Sequence, residues 1–512
     1  GGVVKNGTGT QILSGSNTYS GGTTINGGIL QVGSGGTTGT PGPGTITINN
    51  NASLVFNRTN DVVQGTDFSL IDGTGTVTQA GTGAVTLSFG NTYSGGTAIT
   101  SGTLLLGNDT GAGSGTIALA DGTTLGASAN NLTVANPINV TGTASLGQNA
   151  NNVLTLTGAL TGSGTLQNKT ASGSTPNLFL KGDLSGFIGT LAITNGNTNT
   201  TAFWRFGATG GATIDLSHAT VNLISGPSAN VSPGFIDATT VANTMKIGTL
   251  TGGGTFQGSF NGTANVFNIL EVGNLNTNST FSGVLGRSSN NMMQLSLTKV
   301  GTGTLTLSGT NIYTGDTTVN AGVLAVSGNA IANANKLVIN GGKVDPMGAT
   351  EVVGTLYFGA TQQATGTWGA TGSTATHIDD VHFTGTGVVS VTTGPPAGYS
   401  AWADLYASGQ TMDQDHDNDG VKNGVEYFMG QTGSTFTANP APVNGAVTWP
   451  MGATYTGVYG TDYEVQTSTD LVNWTQVPIG TGDNTVAVTA GTSVVYDMPA
   501  GGKSFVRLVV KN

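Results

Sequence analysis

Short alternations of apolar and polar residues, cut by glycine, run through most of the chain. In the stretch from Lys299 to Gly328, KVGTGTLTLSGTNIYTGDTTVNAGVLAVSG, Leu305 and Leu307 alternate with Thr304 and Thr306. Leu324 and Val326 repeat the pattern after Gly322. A period of two puts one set of side chains inside and the threonines outside. The stretch occurs twice more, from Lys5 to Gly33 and from Gln79 to Gly107. The three copies align without a gap: Gly7, Gly81 and Gly301 match, then Asn17, Asn91 and Asn311, then Tyr19, Tyr93 and Tyr313, then Leu30, Leu104 and Leu324. A repeat too small to bury its own core predicts a solenoid.

Between and beyond these copies the alternation continues in weaker form. TIALADGTTL at Thr116, NNLTVANPINV at Asn130 and NNVLTLTGAL at Asn151 read as degenerate rungs. Asn195 to Phe206, with Phe203, Trp204 and Phe206, reads as a loop whose aromatics plug an exposed rung. At roughly 20–25 residues per turn, residues 1–393 give about 16–19 turns of parallel β-helix. The prolines of Gly394-Pro395-Pro396 cannot donate to a ladder and mark the end of the solenoid. A short helix is expected at Ser400, with Trp402, Leu405 and Tyr406 at helical spacing. Residues 394–430 form a linker with an acidic loop, and residues 431–512 form an alternating β region. Its strands are placed at Asp462 to Thr467, Thr485 to Thr489 and Ser504 to Val510.

Composition agrees with an all-β chain of many tight turns. Glycine supplies 86 of 512 residues, without a collagen period, and only 8% of residues are charged. The net charge is −11, and eleven of the acids crowd into the stretch after Ser400. No basic patch is visible, which counts against nucleic acid and anionic membrane surfaces as partners. The absence of cysteine excludes disulfides and thiolate metal sites. No apolar run is long enough to span a membrane as a helix. The chain opens inside a repeat with no initiator Met, so a processed or truncated start is expected.

The GTGTLTLSG opening at Gly301, the NIYTGDTTVNAG middle at Asn311 and the GVLAVSG close at Gly322 resemble the autotransporter-associated β-strand repeat of bacterial surface proteins. Leu337 to Val391 is similar to the way such repeat regions end, with GTWGATGSTATHIDDVHFTGTGVVSVT at Gly366. The resemblance implies a parallel β-helix exported to the cell surface. DYEVQTSTDLVNWTQV at Asp462, with FVRLVV at Phe505, resembles small C-terminal β-sandwich modules of bacterial secreted proteins.

The strongest chemical motif is DQDHDNDGVKNGVE, from Asp413 to Glu426. Counted from Asp415, carboxylates fall at positions one, three and five (Asp415, Asp417, Asp419). Gly420 makes the turn at six, the Val421 carbonyl lies at seven, Asn423 at nine and Glu426 at twelve. This is the ligand spacing of an EF-hand calcium loop, in which alternate hard oxygens wrap a hard cation. The loop resembles the EF-hand and dockerin type, departs from it at Lys422 and lacks a second loop. His416, between ligands, is expected to face solvent. The plain alternative is a solvated acidic linker. Asp379 and Asp380, with His377 and His382, could hold a transition metal, although packing is the simpler reading. Arg205 and Arg287 stand isolated. The repeated Asn and Tyr positions read as turn and packing residues, with a glycan-binding stripe as the alternative.

Three functions compete. The first is an extracellular structural protein, a solenoid subunit that joins its own copies head to tail into a filament or surface layer, with calcium stiffening the joint before the sandwich. The open first rung would meet either the last rung near Val388 to Val391 or an edge strand of the sandwich. The second is a monomeric cell-surface adhesin binding glycans or cells. The third, a β-helix polysaccharide-degrading enzyme, ranks lowest, because the acids of the repeat region are spread singly apart from Asp379 and Asp380.

Overall fold

The computed structural model describes residues 1–148, 153–170, 177–194, 202–207, 213–224, 231–235, 242–258, 267–286, 295–328, 330–331, 335–394, 398–432, 438–453, 455–499 and 505–511. The chain is a parallel β-solenoid of about 13 turns followed by antiparallel sheets. It divides into two compact units, residues 1–332 with 341–349 and residues 333–340 with 350–512.

In the first unit the backbone N–H and C=O groups of each turn pair with the turns above and below. One sheet stacks Thr10–Leu13, Gly28–Val32, Ala52–Phe56, Thr76–Gln79, Thr97–Ile99, Ile117–Leu119, Ile138–Val140 and Leu160–Gly162, all parallel. Register keeps inward positions in columns. Leu30, Leu54, Val77, Thr97, Ile117, Ile138 and Leu160 lie one above another, all buried. Each buried aliphatic side chain in such a column contributes about 1.5–3 kcal/mol.

The three clear repeats share one internal plan. A strand at Val3–Lys5, Thr76–Gln79 or Leu295–Lys299 is followed by one at Thr10–Leu13, Ala84–Leu87 or Thr304–Leu307. The next two strands then stack on these. Val3 pairs with Thr23, Val77 with Thr97 and Leu297 with Thr317, the same step in each copy. Val85 pairs with Leu104 and Leu305 with Leu324, again at one shared step. A repeat therefore covers more than one turn. The turn before the last strand needs glycine: Gly28, Gly102 and Gly322 have φ of 66°, 67° and 64°. A Cβ there would strike the carbonyl oxygen of Gly9, Gly83 or Gly303 in the turn below.

The expected 16–19 turns are too many. In the middle of the unit the turns lengthen: Leu191 pairs with Val221 and Leu216 with Ile247, a longer step than that from Val77 to Thr97. The loop expected from Asn195 to Phe206 is partly a strand. Residues 195–201 lie outside the described residues, but Ala202–Phe206 pairs with Asn177–Leu180 below and Val231–Phe235 above. Trp204 and Phe206 face inward and are buried, so they are core rather than plug. Leu305, Leu307, Leu324 and Val326 are buried as the alternation requires.

In the second unit, antiparallel strands end the parallel stack. Lys336–Ile339 pairs in parallel with Thr355–Phe358, which then takes Thr361–Gln362 antiparallel. Thr350–Val353 pairs in parallel with Val388–Val391, whose other side is closed by antiparallel Gly366–Gly369. Val388 to Val391 is thus not an open last rung, contrary to the expectation, and Val388, Val389 and Val391 are buried. These strands pair among themselves, which groups residues 333–340 and 350–394 with the C-terminal region in the second unit. They also bond onward: the Tyr406 hydroxyl donates to Gln362 Oε1 at 2.8 Å and Gln431 Nε2 to Thr361 Oγ1 at 3.0 Å. Pro395 and Pro396 lie outside the described residues.

Helix α1, Tyr399–Tyr406, buries Trp402 and Ala403 but exposes Leu405, which was expected inside. Helix α2, Asn423–Phe428, packs Val425 and Phe428 into one apolar core with two three-stranded antiparallel sheets. One sheet holds Ala446–Pro450, Ser493–Asp497 and Thr485–Thr489. The other holds Thr475–Gln476, Tyr463–Ser468 and Phe505–Val510.

Leu324→Asp is expected to cost about 4 kcal/mol or more, since an unpaired carboxylate would enter a dry column. Chemical denaturation of the full chain, followed by circular dichroism, checks it. An unchanged midpoint would contradict the inward placement of Leu324.

Candidate functional site

The acidic loop sits between α1 and α2. Asn418 and Gly420 adopt left-handed backbone, φ 60° and 93°, and fold the chain back on itself. Carboxylate oxygens of Asp415, Asp417 and Asp419 come within 4.8 Å of one another. They also organise the loop: Gly420 N–H donates to Asp415 Oδ2 at 2.9 Å and Val421 N–H to Asp419 Oδ1 at 2.8 Å. Crowded like charges of this kind suit a hard cation.

The remaining sequence candidates are placed differently. Asn423 begins α2 and is fully buried. Its amide oxygen accepts from His416 N–H at 3.0 Å and its amide nitrogen donates to the Thr411 carbonyl at 3.1 Å. Glu426, in the first turn of α2, is also fully buried and is not a member of the aspartate trio. Val421 is buried in the apolar core through its side chain. The trio could hold a metal ion, so the fit to the full ligand set expected from spacing is partial. The neighbourhood is electronegative. Burial pushes the Tyr399 hydroxyl up to about 12; a hydrogen bond with Asn423 opposes this, and the charges of Asp413 and Glu426 add to it. His416, expected in solvent, is half-buried, with Nδ1 shielded from water.

The two histidines beside Asp379 and Asp380 do not converge. His382 bonds Asp379 Oδ2 at 2.9 Å and stacks on Phe358 at 3.8 Å between centroids, whereas His377 stacks on Trp368 at 4.4 Å. Asp380 accepts from the Thr371 backbone and hydroxyl. Burial works to raise Asp379, but hydrogen bonds from His382 and Val381 outweigh it and hold the carboxyl below its ordinary range. The packing reading of these residues agrees with this geometry.

The repeated Asn side chains join one turn to the next, and the repeated Tyr hydroxyls brace the corner of their own turn. Asn91 Oδ1 accepts from Ile71 N–H at 2.9 Å, and its Nδ2 donates to the Gly111 carbonyl at 2.7 Å. Asn311 does the same with Leu285 N–H, at 2.8 Å, and the Ala330 carbonyl, at 2.7 Å. Tyr19, Tyr93 and Tyr313 bond the hydroxyls of Thr23, Thr97 and Thr317 at 2.6–2.7 Å. Tyr93, Tyr313, Asn91 and Asn311 are buried, so they form no glycan-binding stripe.

The sequence reading missed one device. Lys5, Gln79 and Lys299 occupy the same repeat position and face inward, with Gln79 stacked between Phe56 and Ile99. Lys299 Nζ donates to the carbonyls of Val300, Gly301 and Ala321 at 2.6–3.1 Å. Lys5 makes the matching bonds to Asn6, Gly7 and Gly27, and the Gln79 amide donates to Gly81 and Gly83. The signal was parity: Lys299 follows the inward Leu297 on the same side of the strand. Arg205, isolated in sequence, lies over the ring of Phe179 in the turn below, as does Lys181.

Residues 3–32, 77–106 and 297–326 match the passenger-associated-transport repeat. Each match opens on the strand that ends in Lys5, Gln79 or Lys299. No curated protein and no solved structure matches the chain. The chain is a β-solenoid carrying autotransporter passenger-type repeats, and such repeats place it among secreted or surface proteins.

Burial pushes Lys299 down from 10.5 to about 8. Between these values the unfolded chain binds a proton that the folded chain does not, so stability from this group rises as pH increases through that window. Below about pH 8 both states are protonated and the burial penalty is fully present. The stability difference between the wild type and Lys299→Gln, which copies Gln79, is expected to shift in favour of the wild type from about pH 8 to 10.5. Denaturant titrations at several pH values check it, and a pH-independent difference would contradict it.

Proposed function

We propose that the protein is an extracellular structural subunit: a solenoid rod that joins its own copies end to end and does no catalysis. The observation that carries the reading is where the polar chemistry goes. The repeated Asn, Tyr, Lys and Gln side chains are engaged in hydrogen bonds within the stack, whereas many outward positions, such as Thr24, Thr47, Thr78, Ala98 and Ala118, are small and uncharged, interrupted by charged ones such as Asp72 and the column Asp215, Lys246 and Glu271. Such a wall suits a rod better than an active-site groove.

End-to-end assembly would use the same ladder chemistry that joins one turn to the next. Val3–Lys5 and Thr10–Leu13 pair on one side, while their counterparts Thr76–Gln79 and Leu295–Lys299 pair on both. Asn17 donates to the Thr40 carbonyl as its counterparts do, but its amide oxygen accepts nothing among the described residues. Such a face takes a further turn, whether from a preceding part of the same chain or from a second copy. With Val388 to Val391 covered, the candidate surfaces on the neighbour are edge strands of the C-terminal sheets, such as Ala446–Pro450. Negative-stain microscopy and light scattering over a range of concentrations test the reading. Filaments that Ile12→Pro abolishes are expected; single rods at every concentration would contradict assembly and leave a monomeric adhesin-like rod.

Calcium belongs to the same reading. Asp415, Asp417 and Asp419 would hold the ion, and the Val421 carbonyl, Asn423 and Glu426 are the further ligands expected from spacing. A bound divalent ion would neutralise the crowded carboxylates and rigidify the loop before the C-terminal sheets. A lone loop should bind with a Kd of about 0.1–1 mM. Titration calorimetry should register calcium binding to the wild type and a weaker response in Asp417→Asn and Glu426→Gln, with a matching rise in thermal stability for the wild type alone. No heat and no stabilisation would contradict it.

A further inference from the structure

The two three-stranded sheets that share a core with α2 have four edge strands, and three of these are blunted. Thr475–Gln476 is two residues long, and Ala446–Pro450 ends on a proline. Thr485–Thr489 is already bonded through Val486, which donates to the Pro478 carbonyl at 3.0 Å and accepts from Gly480 N–H at 3.1 Å. Phe505–Val510 is six residues long and free of proline. Lys511 N–H donates to the Asp462 carbonyl at 2.8 Å, so in this antiparallel pair Phe505, Arg507 and Val509 turn their backbone groups toward Tyr463–Ser468. Val506, Leu508 and Val510 turn theirs the other way, and those N–H and C=O groups bond nothing among the described residues.

A cavity of about 210 Å³ lies beside this strand, lined by residues 507–510 and, from α2 and the segment before it, by Met412, Asp413, Lys422 and Val425. We propose that the groove binds an extended acidic peptide segment, which adds to Phe505–Val510 as one more strand. The open backbone groups recur at every second residue, which is the spacing at which a strand presents its own N–H and C=O groups. A glycan or a nucleic acid carries no such alternation of amide donor and acceptor, so the edge selects a polypeptide backbone. Met412 and Val425 suit apolar side chains on one face of the segment. Two of the three charged residues in the lining, Lys422 and Arg507, are cationic. The partners of Arg507, Gln466 and the Trp474 ring, are uncharged, and Asp413 already accepts from Thr411 Oγ1 at 2.6 Å. The balance favours acidic residues on the incoming segment.

A bare segment fits the groove better than a second copy of the same edge. Two copies pairing Phe505–Val510 with itself would each bring α2 and Met412 to the space that the other strand must fill. The inference goes beyond the structural rod proposed above and holds for a single rod as well as for a filament.

Fluorescence anisotropy of the full chain with a labelled synthetic peptide, DYEVQTS, tests the proposal. This is the sequence of Asp462–Ser468, which pairs with Phe505–Val510 on that strand's other side and carries two acids. Saturable binding is expected. Methylating alternate backbone nitrogens of the peptide should weaken it about tenfold or more, because each lost donor removes a ladder bond. Val506→Pro removes an open N–H at an edge position, where proline is tolerated, and should weaken binding by a similar factor. Circular dichroism checks that this variant keeps the wild-type fold, and the methylated peptide decides the matter if it does not. Replacing the two acids of the peptide by lysines should weaken binding part-way. No binding, equal binding of the methylated peptide, or full binding by a folded Val506→Pro variant would each overturn the proposal. So would a concentration-dependent dimer that Val506→Pro abolishes, since that places a second copy in the groove. None of these outcomes bears on filaments or on their loss in Ile12→Pro.

Discussion

The backbone ladder between turns is the constraint on which the rest of the solenoid depends. A turn of about 20 residues buries little by itself, and its amides and carbonyls point along the stack rather than within it. Each turn is therefore completed only by its neighbours. That requirement fixes register, register fixes columns, and columns make a dry interior from Leu, Ile and Val. It also explains the glycines at Gly28, Gly102 and Gly322, where one turn passes so close to the next that a side chain would collide.

The polar side chains inside follow the same rule. A buried amide or ammonium without partners would be costly. Asn91 and Asn311 avoid this by reaching one turn down and one turn up. Lys299 avoids it by gathering carbonyls at the corner where the chain leaves the strand, and the Gln79 amide nitrogen does the same while its oxygen accepts nothing among the described residues. These residues act as connectors, and their repetition in three copies follows from stacking without any ligand.

Alternation made the fold legible. Leu305, Leu307, Leu324 and Val326 could be placed inside from period alone, and the bounds of the strand Thr485–Thr489 were read from alternation. The length of the middle turns was not legible, because insertions between strands leave the period untouched. Nor was the closure by Gly366–Gly369, since a strand's direction is not written in its alternation. Lys5 and Lys299 were missed because a lysine is assumed to be outside; parity with Val3 and Leu297 would have placed them correctly. In the acidic loop, spacing identified Asp415, Asp417 and Asp419 as neighbours. It did not reveal that α2 buries Asn423 and Glu426, which depends on how Val425 and Phe428 pack. Arg205 and Lys181, well separated in sequence, become neighbours only through the register of one turn on the next.

Hydrogen exchange with mass spectrometry on the full chain tests the stacked ladder most directly. Amides in Thr97–Ile99, Thr103–Leu106 and Thr317–Val319, which lie inside the stack, should exchange slowest in the first unit. Thr10–Leu13, paired on one side, should exchange markedly faster than its counterpart Ala84–Leu87. Equal and rapid exchange across all of these strands would contradict a solenoid held together by pairing between turns.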